Sequence, residues 1–220
     1  MKKQVMNFLS MALMALVLFS CDGGSGKKGS GGKSLFTPVS SGHPYEMLVV
    51  IDKDMWERPA GRALFNALDM DVPGLPQPER SFRISQIIPD KFERGFRIFR
   101  NIIDVDIQPI YTQPKLKYSR DSYASPQMIM TIQAPDEASF EEFVNQNKQV
   151  IVDFFTKAEM NRQINLLKEK YSDVVATKVG SMFGCDVRVP VGFERYKQGK
   201  DFFWTSEDRP GSEVSMTFVV

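Results

Sequence analysis

The chain has 220 residues, and its 28 basic against 27 acidic side chains leave a net charge of +1, which argues against the strongly basic surface of a nucleic-acid binder. One histidine, His43, and two cysteines, Cys21 and Cys185, leave serine–histidine triads, cysteine–histidine pairs and histidine-built zinc sites without their usual parts, and exclude a disulfide scaffold.

Lys2 and Lys3 precede Phe8–Phe19, a run of twelve residues apolar except for Ser10. A basic start followed by an apolar run of that length reads as a secretory signal over residues 1–20, too short for a permanent membrane span. Cys21 stands directly after Ser20, so the segment resembles a lipobox, in which a diacylglyceryl group is joined to the cysteine thiol and the chain is cut before it. Ser20 is small, as that position requires, while Phe19 is bulkier than usual at the place before. Cys21 is thus the expected lipid-attachment residue, with palmitate-type acyl chains holding the protein at a membrane surface. One chain binds only marginally, at about 0.8 kcal/mol per buried CH2, so a stable anchor carries more than one.

Residues 21–43 read as the lipidated cysteine and a flexible tether. Asp22 to Gly42 holds seven Gly, five Ser and three Lys and buries too little apolar surface to fold. Its mean span is about 25 Å. With Lys2, Lys3, Lys27, Lys28, Lys33 and Asp22 set aside, the net charge falls from +1 to −3, an ordinary value for a soluble domain.

Residues 44–220 are expected to form one domain. Tyr45 to Ile51 predicts a strand apolar on both faces, hence central. Met55 to Leu68 predicts a helix with Asp52 or Asp54 as cap and Pro59 in its first turn. Val72 to Glu79, with three prolines and a glycine, is a rigid loop. Phe82 to Ile88 predicts a second strand, Pro89 to Phe96 a short helix, and Phe99 to Ile107 a third strand. Pro109 to Pro126 reads as a polar excursion. Met128 to Ile132 is another strand, and Asp136 caps a helical pattern that runs to Tyr171, as one long helix or two joined by a kink near Ala158. Met182–Val189, Val191–Tyr196, Phe202–Trp204 and Glu213–Val220 read as strands. The fold class these elements imply is α+β, a mainly antiparallel sheet with helices packed on one face and one long helix or helical hairpin in the second half.

Candidate chemistry is sparse. Neither a G-x-G-x-x-G nor a P-loop occurs, and no cofactor, metal ligand set or catalytic residue is assigned. Cys185 falls on an expected strand and reads as a buried thiol. Asp104 and Asp106 share a strand face, where alternation alone explains them and an acid–base pair is the functional reading. Lys91, Arg94, Arg97 and Arg100 interleave with phenylalanines at core spacing, so nucleic acid is not an expected partner. Asn101 is a polar residue on an apolar face and must find hydrogen-bond partners if buried.

Trp56, the run Gly74-Leu75-Pro76-Gln77-Pro78-Glu79, Phe82, and the stretch from Phe92 through Arg100-Asn101-Ile102 resemble an uncharacterised family of lipoproteins from Bacteroides-type Gram-negative bacteria. Members are longer, which implies a C-terminal portion beyond Val220. The family carries no assigned activity, so the resemblance implies location and not function. The function expected is a membrane-anchored envelope lipoprotein acting as a non-catalytic binding or structural module, with an envelope protein or surface ligand as partner. The alternative is a carboxylate-dependent envelope hydrolase using Asp104, Asp106 or Glu79. The candidate binding surface is Trp56, Gln77, Glu79, Arg100 and Asn101, around the stiff loop. Its weak joint is that alternation puts Arg100 and Asn101 on opposite faces of a strand. The competing structural reading pairs Glu79 with Arg100.

Overall fold

A computed structural model describes residues 37–207 and 216–220. The expected signal, Cys21 and most of the expected tether lie outside the described residues. Strands β1 (Glu46–Val50), β2 (Arg83–Ile87), β3 (Asn101–Ile107), β4 (Lys115–Arg120) and β5 (Met128–Ala134) form a five-stranded sheet in the order β2-β1-β3-β5-β4. β1 pairs parallel with β2 and β3, and β3 parallel with β5, whereas β4 alone is antiparallel, against β5. A second, three-stranded antiparallel sheet joins β6 (Arg195–Gln198), β7 (Phe203–Glu207) and β8 (Met216–Val219).

The fold is therefore α+β, but the expected mainly antiparallel sheet is wrong: the main sheet is mixed and mostly parallel. The period-two pattern fixes which face a side chain takes and not the direction of its strand. The direction follows from the connections. Residues 52–82 and 88–100 are long enough to cross back to the same end of the sheet, as a parallel pair requires. The buried run Met47 to Ile51, apolar on both faces, is the signature of such a strand.

The helix expected over Met55–Leu68 is two, α1 (Lys53–Glu57) and α2 (Pro59–Leu68). Arg58, held extended before Pro59, breaks it (φ −82°, ψ 166°). Asp52 caps α1, accepting from the N–H groups of Asp54 and Met55. A short helix α3 (Arg94–Arg97) follows a 3-10 turn at Pro89–Lys91. Asp136 caps α4 (Glu137–Glu169), one helix of 33 residues without a break at Ala158.

α2 and α4 lie on one face of the main sheet. Ala60, Leu64 and Leu68 of α2 meet Phe140, Ile151 and Phe155 of α4 over Met47, Val49, Ile103, Met130 and Ile132. The opposite face carries Leu48, Val50, Ile87, Ile102 and Ile129, covered by Phe92 and Phe99 from the connection between β2 and β3. The two crossovers run in opposite directions along the sheet, one from β1 out to β2 and one back past β1 to β3. Right-handed crossovers place such connections on opposite faces.

Four further expectations are corrected. β4 was read as part of a polar excursion, because as an edge strand it exposes Lys115, Lys117 and Arg120. No strand forms over Met182–Val189: Met182 and Phe183 end helix α5 (Asp173–Phe183), capped by Ser172 and closed by Gly184 at φ +68°, and the rest is irregular chain. Cys185 follows that cap and is exposed, not buried. Residues 38–43, placed in the tether, pair with the domain: Ser125 donates its N–H to Pro38 O at 2.9 Å, and Ser41 donates to Ile98 O at 2.8 Å.

Candidate functional site

Asn101, the polar residue on an apolar face, is fully buried and opens β3. Its side chain meets Glu159, also fully buried, from the middle of α4. Asn101 Nδ2 donates to Glu159 Oε1 at 2.7 Å and to Glu46 O at 2.9 Å. Arg162 Nη1 donates to Asn101 Oδ1 at 2.7 Å and to Glu159 Oε1 at 2.8 Å, and Nη2 donates to Arg100 O at 2.9 Å. Arg100 Nη2 donates to Glu159 Oε2 at 2.8 Å. One buried carboxylate thus sits between two guanidinium groups and an amide. Burial holds the Arg162 guanidinium below its ordinary range, against the pull of Glu159.

Arg100 and Asn101 share a partner although alternation opposes them. Arg100 precedes the first residue of β3, so the strand period does not bind it. The expected pairing of Glu79 with Arg100 does not form, because Arg100 takes Glu159. Of the five candidate surface residues, only Arg100 and Asn101 share a partner. Trp56 stands edge-on to Phe65 at 5.8 Å and packs against the main core. Gln77 and Glu79 lie exposed on the loop between α2 and β2.

The Glu159 cluster holds a turn. Arg100 donates its backbone N–H to Ser41 O at 3.0 Å. Gly42 has φ +97° and Tyr45 φ +60°. A bulky residue in that region costs about 1–3 kcal/mol and persists where its surroundings over-determine it. Here the fixed Glu46 carbonyl and the bond from His43 N–H to Glu46 Oε2 at 2.8 Å supply that constraint. The turn forms one wall of a cleft of about 740 Å³, whose other walls are Phe65 of α2, Asp69 at the C-cap of that helix, and the chain from Arg80 to Ile84. Arg80 reaches Asp69 Oδ1 at 3.1 Å, and the Tyr45 and Phe82 rings lie 6.2 Å apart. Aromatic surface and charged groups of both signs converge there, the usual make-up of a ligand cleft.

Asp104 and Asp106 lie on the sheet face opposite α2 and α4 and do not line the cleft. Asp106 accepts from Tyr111 Oη, from Gln133 Nε2 at 2.7 Å and from Gln108 Nε2 at 2.6 Å. Burial pushes the Asp106 carboxyl up, but the bonds from Tyr111, Gln133 and Gln108 and the charge of Lys117 outweigh it and hold the group below the usual carboxylate range. Burial first, and the charge of Asp106 second, push Asp104 up. Two carboxyls of opposite tendency on one strand are a possible acid–base arrangement. Among the described residues, no three His, Cys, Asp or Glu side chains converge to hold a metal ion, and no helix is long and apolar enough to cross a membrane.

Glu159, Arg162, His43, Tyr45, Arg80 and Arg83 escaped the sequence reading. A signal existed for the first two: Phe155, Glu159 and Arg162 continue the inward stripe of α4 at helical spacing, opposite the Asn101 that needed partners. The cleft left no such signal, because its walls come from three separate segments.

A family model described as Domain of unknown function (DUF8532) matches residues 40–168. The matched span holds the whole main sheet, the cleft and the Glu159 cluster, and begins inside the docked segment before β1. No curated protein and no solved structure matches the chain.

Proposed function

The chain belongs to this DUF8532 family, and on that premise we propose that it is a lipoprotein of a Bacteroides-type Gram-negative envelope whose domain is a non-catalytic binding module. The cleft of about 740 Å³ carries the reading. The two carboxylates on its walls are engaged, Glu46 by the His43 N–H and Asp69 by Arg80. A hydrolytic site needs ionisable groups that converge on one reacting atom, and Asp104 and Asp106 stand away from this cleft. The opposed tendencies of those two carboxyls support the second reading, a carboxylate-dependent envelope hydrolase working on the sheet face opposite α2 and α4.

The anchor rests on the apolar run that ends at Ser20-Cys21 and on the Gly/Ser-rich segment after it. Cys21→Ala is expected to abolish incorporation of labelled palmitate and to release the protein from the membrane fraction. Equal label in wild type and variant would reject the lipid anchor. For the module, amide chemical shifts are followed while saccharide and peptide fragments of the envelope are added. Perturbations grouped at residues 43–46, 65–69 and 80–84 are expected, and they persist in Asp104→Asn/Asp106→Asn. Conversion of any fragment, lost in that double variant, would replace the module with the hydrolase.

A further inference from the structure

The cleft opens beside a sheet edge. Among the described residues β2 pairs only with β1, so its other side faces no described strand. Arg83 donates its N–H to Tyr45 O at 2.9 Å, and Ile87 O accepts from Ile51 N at 2.9 Å. Residues 83, 85 and 87 therefore turn their peptide groups toward β1, and the two-residue period turns those of Ile84 and Gln86 outward. Such a row of outward groups is a template for another strand unless lysine, proline or a bulge blunts it. The opposite edge, β4, carries Lys115, Lys117 and Arg120. β2 has neither lysine nor proline, keeps a continuous register with β1, and buries only Ile87 of its five residues.

Charge and shape select what can add there. Glu46 and Asp69 are engaged within the cleft, whereas Arg83 forms no ion pair among the described residues and Arg80 keeps 69% of its side chain exposed. Ile84 packs toward the α2 face, where Phe65 stands, while Arg83 shares the opposite face with its register partner Glu46. A strand laid along β2 would alternate in the same way. One set of its side chains meets Ile84 and Phe65, and the other set meets Arg83.

We propose that β2 and the cleft bind an extended segment of another polypeptide as a sixth strand, with alternating apolar and acidic side chains, the acidic ones held by Arg83. The proposal rests on the binding-module reading. A second copy of this chain is the poorer occupant of the edge, since β2 itself carries no acid to offer Arg83. Main-chain hydrogen bonds supply the affinity of this recognition mode, and alternate side chains supply its specificity.

The test selects phage-displayed random decapeptides on the full-length protein in detergent and removes those that also bind the detergent micelles alone. Enriched peptides are synthesised plain and N-methylated on either alternate set of residues, and fluorescence polarisation gives their affinities. Ile84→Pro removes one outward N–H and no bond to β1. The expected result is an alternating acidic and apolar pattern, a loss of tenfold or more with Arg83→Glu, and loss of binding with one N-methyl set but not the other. Ile84→Pro should weaken binding at an unchanged melting temperature; if that variant unfolds, the N-methyl series decides alone. Affinity indifferent to both N-methyl sets, or enriched peptides without acidic residues, overturns strand addition. Self-association of the full chain that Ile84→Pro removes would give the edge to a second copy and overturn it equally. A saccharide that perturbs the cleft while no peptide binds would reject strand addition and leave the binding module standing. If neither binds, both fall.

Discussion

Glu159 has no solvent exposure, and its two flanking guanidinium groups are largely buried as well. Such a cluster costs desolvation, so it is weak evidence of stability as built but expensive to break. Glu159→Gln leaves Arg100 and Arg162 facing one another without their carboxylate, and is expected to destabilise the domain by about 3–5 kcal/mol in urea unfolding. A loss below 1 kcal/mol would mean that Asn101 and water can replace the carboxylate. Asn101 was legible as a residue in need of partners, but the identity of those partners was not, since they lie 55 to 61 positions away. The carboxyls on β3 give a test in pH. Asp106 is held below its ordinary 3.8, so it stabilises the fold above that value and the contribution is lost as pH falls through the lowered one. Asp104 is pushed above 3.8, so its favourable contribution is present below 3.8 and lost as pH rises through the raised value. At pH 7, Asp106→Asn is therefore expected to lower the melting temperature and Asp104→Asn to raise it, and both differences should shrink toward pH 3. Shifts of the same sign at pH 7 would contradict this account.

Elements were more legible than their assembly. β1, β2, β3, β5 and α4 stand close to where apolar period, caps and proline put them, because those signals are local. Strand direction was not local. It depended on the crossovers, and in β4 the solvent-facing lysines hid a strand that only its partner β5 defines. Between α1 and α2 a proline and a helical period are legible, yet the elbow also depends on Gly61. A Cβ there would stand 2.3 Å from Met55 O and 2.5 Å from Trp56 Cα. Both are backbone atoms, so α1 must move for any side chain to fit. Helix propensity favours alanine over glycine by about 1 kcal/mol, but overpacking of this kind costs typically about 1–3 kcal/mol and sometimes more. Gly61→Ala is thus expected to destabilise the protein in chemical denaturation and to shift the fluorescence of Trp56. A stabilised variant would show that the elbow opens freely and that Trp56 is not fixed by it.

At the scale of the molecule, two sets of buried residues divide the chain by sequence. The clusters on the two faces of the main sheet draw on residues from Met47 to Phe155. A third cluster, Val175, Val179, Val189, Phe193 and Phe203, is drawn from α5, the chain after it and β7. No residue is common to the third and the first two. The end of α4 between them adds little to either, since Met160, Ile164 and Leu166 are about half exposed, at 53%, 49% and 50%. The family match stops at residue 168, in that same stretch. A chain of this size can bury enough surface to fold alone, so the fragment 37–170 is expected to keep its far-UV circular dichroism and to melt in one cooperative transition within several degrees of the corresponding transition of the full chain. The Glu159 cluster lies wholly inside that fragment, so Glu159→Gln should lower its melting temperature as it does in the full chain. A fragment that binds a hydrophobic dye and melts without a transition would show instead that α5 and the second sheet complete the first core.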